Sequence, residues 1–316
     1  MYEAAQFASA WGLIDRAASQ GRPFDVIHDH SGFTALALAD HLAAPMIHTL
    51  HGAFTPSTAR FYRRYGHKAQ LVAISRAQAE SAPDGVRISA VIPNPIGVDR
   101  WPLVTEKDDY LLWVGRMDAV KGAHRAIRVA RLSGRRLVLA GPVQPGQERY
   151  FAERVKPELD DQRLRYVGEV GGLVKQELFA HAGALLMPIR WREPFGMVMV
   201  EALACGTPVI AFREGAATEI VINGVNGMLV GDELEMARAV TSLESIDPRR
   251  CRESVARRYD VPMVAAAYEQ MYWALTDSDE PRGSACSDDC PSAERVSAAP
   301  GLDPARAGSP RARHLS

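Results

Sequence analysis

The chain of 316 residues has no excess of either charge: 37 lysines and arginines stand against 38 aspartates and glutamates, a formal net charge of -1. That balance creates no long-range field to gather nucleic acid or an anionic membrane surface, so neither is expected as a partner and any anionic ligand must be held by local groups. Long apolar runs are also missing. No stretch suffices to span a bilayer, and the opening residues, MYEAAQFASAWGLIDRAASQ, read as an amphipathic helix rather than a signal peptide. A cytoplasmic protein without a transmembrane segment is expected. Cysteine is scarce: Cys205, Cys251, Cys286 and Cys290 are too few and too uneven for a disulfide scaffold. Cys286 and Cys290 alone fall short of a zinc ligand set, and no metal site is expected.

What is present is a steady alternation. With 47% hydrophobic residues, the chain can bury two ordinary cores. Short apolar runs (FDVIHDH, PMIHTLHG, QLVAIS, VRISAVIPNPI) alternate with helical stretches near 32–43 and 57–68, until the polar segment WPLVTEKDDY. The rhythm then resumes with YLLWVGR, RRLVLAGP, LRYVGEV, ALLMPI and TPVIAF. Helices are expected between them at 121–133, 147–160, 173–182 and 197–205, with a short one before the Asn-Gly turns at 223 and 226. Parallel strands covered on both faces by helices are the economical packing for that order. These composition changes divide the chain into 1–104, 105–258, a final amphipathic helix over 259–276, and 277–316. The last segment is Ser, Ala, Pro, Gly and charge, and should be disordered.

In LLWVGRMDAVKGAHRAI, Arg116 and Lys121 fall at the carboxyl end of a strand, where open α/β folds bind ligands, and two cations there suit a diphosphate. In REPFGMVMVEALACG, Pro194 and Gly196 make the turn into a helix whose first free N-H groups, at Phe195 to Val198, attract phosphate. Glu193 lies just before that helix. Glu201, one turn inside and flanked by Met199, Val200, Ala202 and Leu203, faces a partly desolvated place and wants a hydroxyl donor. Cys205 reads as a small buried residue before the helix stop at Gly206, not as a catalytic thiol. DVIHDH and HTLHG set His28, His30, His48 and His51 at the ends of two strands. Packed, hydrogen-bonded rings are the ordinary account of such histidines, and His51, before Gly52, is the best candidate for a reacting centre.

The residues GR followed by K at 115–121, the acid pair Glu193 and Glu201 with seven residues between, and CGTPVIAF resemble glycosyltransferase family 4. HTLHG, LVAISRAQ, VIPNPIGVDRW, VGEVGG and EGAATEIVINGVNGMLV lie in that family's order, so the resemblance covers roughly residues 20–275. It implies the GT-B fold, two Rossmann-like domains facing each other across a cleft. It also implies retaining transfer of a sugar from a nucleotide-diphosphate sugar to a carbohydrate, lipid-linked or small-molecule acceptor, with no cofactor beyond that co-substrate. By resemblance, Arg116 and Lys121 hold the donor diphosphate and Glu201 the ribose hydroxyls. Glu193 with the backbone at Phe195, Gly196 and Met197 holds the sugar and the nearby phosphate. His51 lies by the reacting carbon, Glu169 and Val170 border the nucleobase, and the final helix crosses back to the first domain.

The family opens with a strand, a glycine-rich loop and two further strands before anything like FDVIHDH, whereas this sequence opens in a helix. The first domain, 1–104, is therefore expected to be incomplete. Two further readings follow: a non-catalytic nucleotide-sugar-binding or interaction protein, and a nucleotide-sugar epimerase of the same two-domain design.

Overall fold

The computed structural model describes residues 2–276; the expected disordered segment 277–316, with Cys286 and Cys290, lies outside them. Two all-parallel sheets belong to one compact unit. After α1 (Tyr2–Ser19), the first sheet forms from β1 (Ile27–Asp29), β2 (Met46–Leu50), β3 (Gln70–Ala73) and β4 (Ala90–Val91), in that spatial order. The connections carry α2 (Thr34–Ala37), α3 (Pro56–Tyr65) and α4 (Arg76–Glu80). The helix expected over 32–43 is only the single turn of α2 followed by a 3-10 turn at Ala39–His41. The basic helix expected at 57–68 is α3 followed by a 3-10 turn. Its start is set by a reciprocal cap between Thr55 and Thr58, with Pro56 in the first turn.

The second sheet is built from β5 (Tyr110–Val114), β6 (Arg136–Ala140), β7 (Leu164–Tyr166), β8 (Ala184–Met187), β9 (Val209–Phe212) and β10 (Gly227–Val230), ordered β10-β9-β8-β5-β6-β7. Between and after these run α5 (Ala123–Ser133), α6 (Glu148–Arg154), α7 (Gly172–His181), α8 (Met197–Ala204), α9 (Ala217–Ile220), α10 (Glu233–Val240), α11 (Pro248–Tyr259) and α12 (Val261–Thr276). β5 and β8 are central, and the crevice at their carboxyl ends is where this strand order reverses direction. Both faces are covered, which is why Leu111, Leu112, Leu185, Leu186, Val209 and Ile210 are all fully buried and the strands read as unbroken apolar runs.

The helix expected over 147–160 stops at Arg154 and tightens into a 3-10 turn at Lys156–Glu158, where Pro157 has no N-H to continue the ladder. The final helix does not start at 259. Tyr259 ends α11 and α12 begins at Val261, because Asp260 is extended (φ -68, ψ 149) and its carboxylate accepts from the N-H groups of Val98 and Val261. Ile96 N-H donates to Tyr259 O beside it, so the α11–α12 break is tied to the segment that joins the two sheets. Beyond the break α12 lies on the first sheet, where Val264 joins the buried cluster of Ile47, Val72 and Ile92, with Tyr268, Met271 and Tyr272 packed against it.

Candidate functional site

At the carboxyl ends of β5 and β8 the chain leaves a cavity of about 330 Å³. The first sheet contributes His51, Ile74 and Asn94 to its lining; the second contributes Gly115, Arg116, Lys121, Glu193, Phe195, Gly196 and Met197, among others. Seven residues picked out in the sequence thus meet in one place, although His51 and Glu193 are 142 positions apart in the chain.

The cations are set by a short loop. β5 runs out at Val114; Gly115 N-H still bonds Ala140 O on β6, and Arg116 follows at the rim, exposed, its guanidinium making one long contact of 3.4 Å to Gln144. Lys121 closes the loop before α5. Its ammonium is ion-paired with Glu193 Oε2 and lies 5.2 Å from the centroid of the Trp191 ring. Opposite them α8 begins at Met197 after Gly196, whose φ of 83° is a left-handed conformation that favours glycine. A Cβ there would come within 2.7 Å of Met199 Cε. Among the described residues no side chain caps α8, so its leading N-H groups are available to an anion.

Glu201 lies outside the cavity lining, deeper in α8 and 8% exposed. One carboxylate oxygen accepts from Lys175 Nζ at 2.7 Å; the other is buried with no partner among the described residues. A buried carboxylate oxygen without a donor is costly, and a hydroxyl-bearing ligand would satisfy it. Glu169 and Val170 are not in the lining either. Their turn follows β7, the edge strand two places from β5, and Glu169 is exposed.

The histidines of the first sheet are hydrogen-bonded to one another and to neighbouring side chains. His30 Nδ1 meets His51 Nε2 at 2.9 Å, and His28 joins Thr49 at 2.8 Å and Tyr272 of α12 at 2.7 Å. His48, fully buried, is held by Asp29 at 2.6 Å. Burial and then the charge of His30 push His28 down to about 4. The surrounding protein, then His30 and His48, lower His51 as well, with Asp29 opposing. Burial works to raise the Asp29 carboxyl, but hydrogen bonds from His48 and Ser31 outweigh it and hold it below its ordinary value. A neutral His51 ring can accept or donate a hydrogen bond at neutral pH. Cys205 and Cys251 are buried thiols pushed up to about 12 by burial, which fits the reading of Cys205 as packing.

Sequence reasoning missed Asn94, Trp191 and Lys175. Asn94 sits in the Pro-Asn-Pro segment, where the two prolines fix the backbone beyond β4; that rigidity was the available signal.

Comparison with known proteins places this geometry. The family described as Glycosyltransferase Family 4 matches residues 3–100, and the one described as Glycosyl transferases group 1 matches residues 98–257. A glycogen synthase of Mycobacterium tuberculosis is 29% identical over 288 residues, covering 79% of this chain and 69% of the relative. A D-inositol 3-phosphate glycosyltransferase of Pseudarthrobacter chlorophenolicus is 28% identical over 267 residues, covering 69% and 61%. Among solved structures, AviGT4, a glycosyltransferase involved in avilamycin A biosynthesis, superposes with a TM-score of 0.64 at 30% identity over 80% of this chain and 74% of that one. Anabaena Alr3699/HepE in complex with UDP gives a TM-score of 0.72 at 20% identity, covering 84% and 81%, a likeness of fold. The two family matches follow one another in chain order and join at residues 98–100, where the polypeptide leaves the first sheet for the second. The chain therefore belongs to the family 4, group 1 glycosyltransferases, with their two-sheet GT-B fold, and is a glycosyltransferase.

Proposed function

We propose that the chain transfers a sugar from a nucleoside diphosphate donor, with retention of configuration at the transferred carbon, and that the 330 Å³ cavity is the donor site. One observation carries this reading: Arg116 and Lys121 from one loop and the start of α8 from another segment converge on a single space, with Glu193 and His51 at its side. Departure of a nucleoside diphosphate develops charge on phosphate oxygens. Fixed cations and backbone N-H groups stabilise that charge more in the transition state than in the ground state. The two side-chain cations supply the neutralisation themselves, so the reading calls for no metal or other cofactor.

Glu201 then receives the ribose hydroxyls on its unpartnered oxygen, and Glu193 receives sugar hydroxyls. The ion pair with Lys121 lowers the nucleophilicity of Glu193, which favours attack by the acceptor on the donor's own front face over a covalent enzyme intermediate. The solved relative bound to UDP and the relatives named as glycogen synthase and inositol phosphate glycosyltransferase support the nucleotide and the carbohydrate or polyol character of the acceptor.

The test is the melting temperature of the purified chain with a panel of UDP-, GDP- and ADP-sugars, since a ligand of the folded state raises stability by mass action. A rise with one nucleotide that Arg116→Ala abolishes supports the donor site. NMR of the product anomer then decides retention. Binding without transfer to any acceptor would leave a nucleotide-sugar-binding protein, and a changed hexose without transfer an epimerase.

A further inference from the structure

The loop that presents His51 is held by a side chain that never reaches the cavity. Gln78, on α4, is 2% exposed. Its Nε2 donates to Leu50 O at 3.1 Å and to Gly52 O at 2.9 Å, the carbonyls of the residues on either side of His51. Its Oε1 accepts from Ile74 N at 2.7 Å, which fastens the same amide to the end of β3. Gln78 therefore clips the His51 loop to the neighbouring strand from both flanks.

α4 is gripped in turn from the other sheet. The N-H groups of Arg76 and Ala77 donate to Glu219 Oε2 at 2.9 Å and Oε1 at 2.7 Å, so one carboxylate from α9 caps the first turn of a helix 143 residues away. α9 is itself fixed to the donor loop, where Ala216 N-H donates to Glu193 O at 3.0 Å, and to α11, whose Arg258 Nη1 donates to Glu219 O at 2.8 Å. A continuous line of hydrogen bonds thus runs from the backbone of Glu193 through α9, Glu219, α4 and Gln78 to the backbone around His51.

We propose that Glu219 and Gln78 are positioning residues that set His51 against Glu193 across the cleft. The charge of Glu219 is spent on two backbone donors of the opposite half, and so it also holds the two halves in the arrangement that completes the site. This rests on the reading of the cavity as the donor site. A misplacement of about 1 Å at a reacting centre costs on the order of a hundredfold in rate, so a clip of this kind governs turnover without touching substrate.

The experiment uses the full chain and the variants Glu219→Ala, Glu219→Gln, Gln78→Glu and His51→Ala. Gln78→Glu keeps the acceptor for Ile74 N-H but removes both donors to the His51 loop. In Glu219→Ala, amide hydrogen exchange at Arg76 and Ala77 should speed by about tenfold or more, and the NMR titration of the His51 ring should move. Turnover should fall by about tenfold to a hundredfold while UDP affinity stays within about twofold, because the lost contact acts on the reacting centre and not on nucleotide binding. Glu219→Gln, which keeps one acceptor, should recover part of the loss. Combining Glu219→Ala with His51→Ala should cost no more than His51→Ala alone. The proposal is overturned if the His51 ring titrates unchanged in Glu219→Ala and Gln78→Glu while both melt cooperatively, or if the two losses multiply. If the wild-type chain binds no nucleotide, the donor-site reading fails instead, and the exchange and ring titration still decide the positioning role.

Discussion

Lys121 and Glu193 form an ion pair on the wall of the cavity, their side chains 15% and 16% exposed. The pair keeps two charges compensated while the site is open, and under the proposed donor reading a phosphate would compete with the carboxylate for the same ammonium. Glu193→Gln releases Lys121 and removes a negative charge near the phosphates, so UDP should bind more tightly, by about threefold to tenfold. Transfer of the sugar should fall at the same time. Calorimetry with UDP alone, beside a transfer assay, checks both; weaker UDP binding in the variant would contradict the competition.

Glu201 has one oxygen engaged by Lys175 and one without a donor among the described residues. In Glu201→Gln the side chain keeps its shape but loses the charge, and a charge-assisted hydrogen bond exceeds a neutral one by about 1 kcal/mol. UDP affinity should fall roughly fivefold by calorimetry. A 2′-deoxy,3′-deoxy analogue should bind wild type and variant alike, which separates the ribose contact from any wider disturbance.

The pH dependence of folding follows from His28, whose pKa lies at about 4 in the folded chain against an ordinary 6.5. The unfolded chain takes up a proton near 6.5 that the folded chain refuses until about 4. Stability is therefore fully present above the ordinary value and falls as the pH drops through that interval. His124, also pushed down to about 4 by burial and then by Arg125, acts in the same direction. The melting temperature should fall by roughly 2–6 °C between pH 7 and pH 5. His28→Gln should flatten the slope, and an unaltered slope would remove His28 from the account.

Gly141, just beyond β6, has a φ of 136°, and a Cβ there would sit 1.9 Å from Gly115 O. Gly141→Ala must part its own turn from the one that carries Gly115 and Arg116. The cost should be about 2–4 kcal/mol from strain and overpacking. That corresponds to a melting temperature lower by roughly 5–15 °C. Calorimetry of the variant checks it, and nucleotide binding should weaken as Arg116 shifts.

The alternation of strands and helices was legible because both faces of each sheet are buried, so β5, β6, β8 and β9 stand out as apolar runs between helices. α10 and α11 were not. PRRCRESVARRY looks like a solvated stretch, and it is a helix because Asp247 caps it, Pro248 starts it, and only Cys251, Val255 and Tyr259 form its buried stripe. β10 is four residues after an Asn-Gly turn, too short for a pattern to declare itself. Arg116, Lys121 and the start of α8 were readable from local order alone, since a strand end and a helix start announce where ligands go. The placing of His51 by the reacting carbon rested on family resemblance. The roles of Lys175, Gln78 and Glu219 were not legible, although LVAISRAQ and EGAATEIV contain the last two, because each acts on a partner brought to it by the fold, 26 to 143 residues away in the chain.

The seating of α12 on the first sheet has a consequence for the order of synthesis. β1 to β4 leave the ribosome early, yet Val264, Tyr268 and Tyr272, which close over Ile47, Thr49 and His28, are made some 200 residues later. The first sheet is thus begun first and finished last. Until α12 has been made, the face of the first sheet that Val264, Tyr268 and Tyr272 cover lacks those contacts.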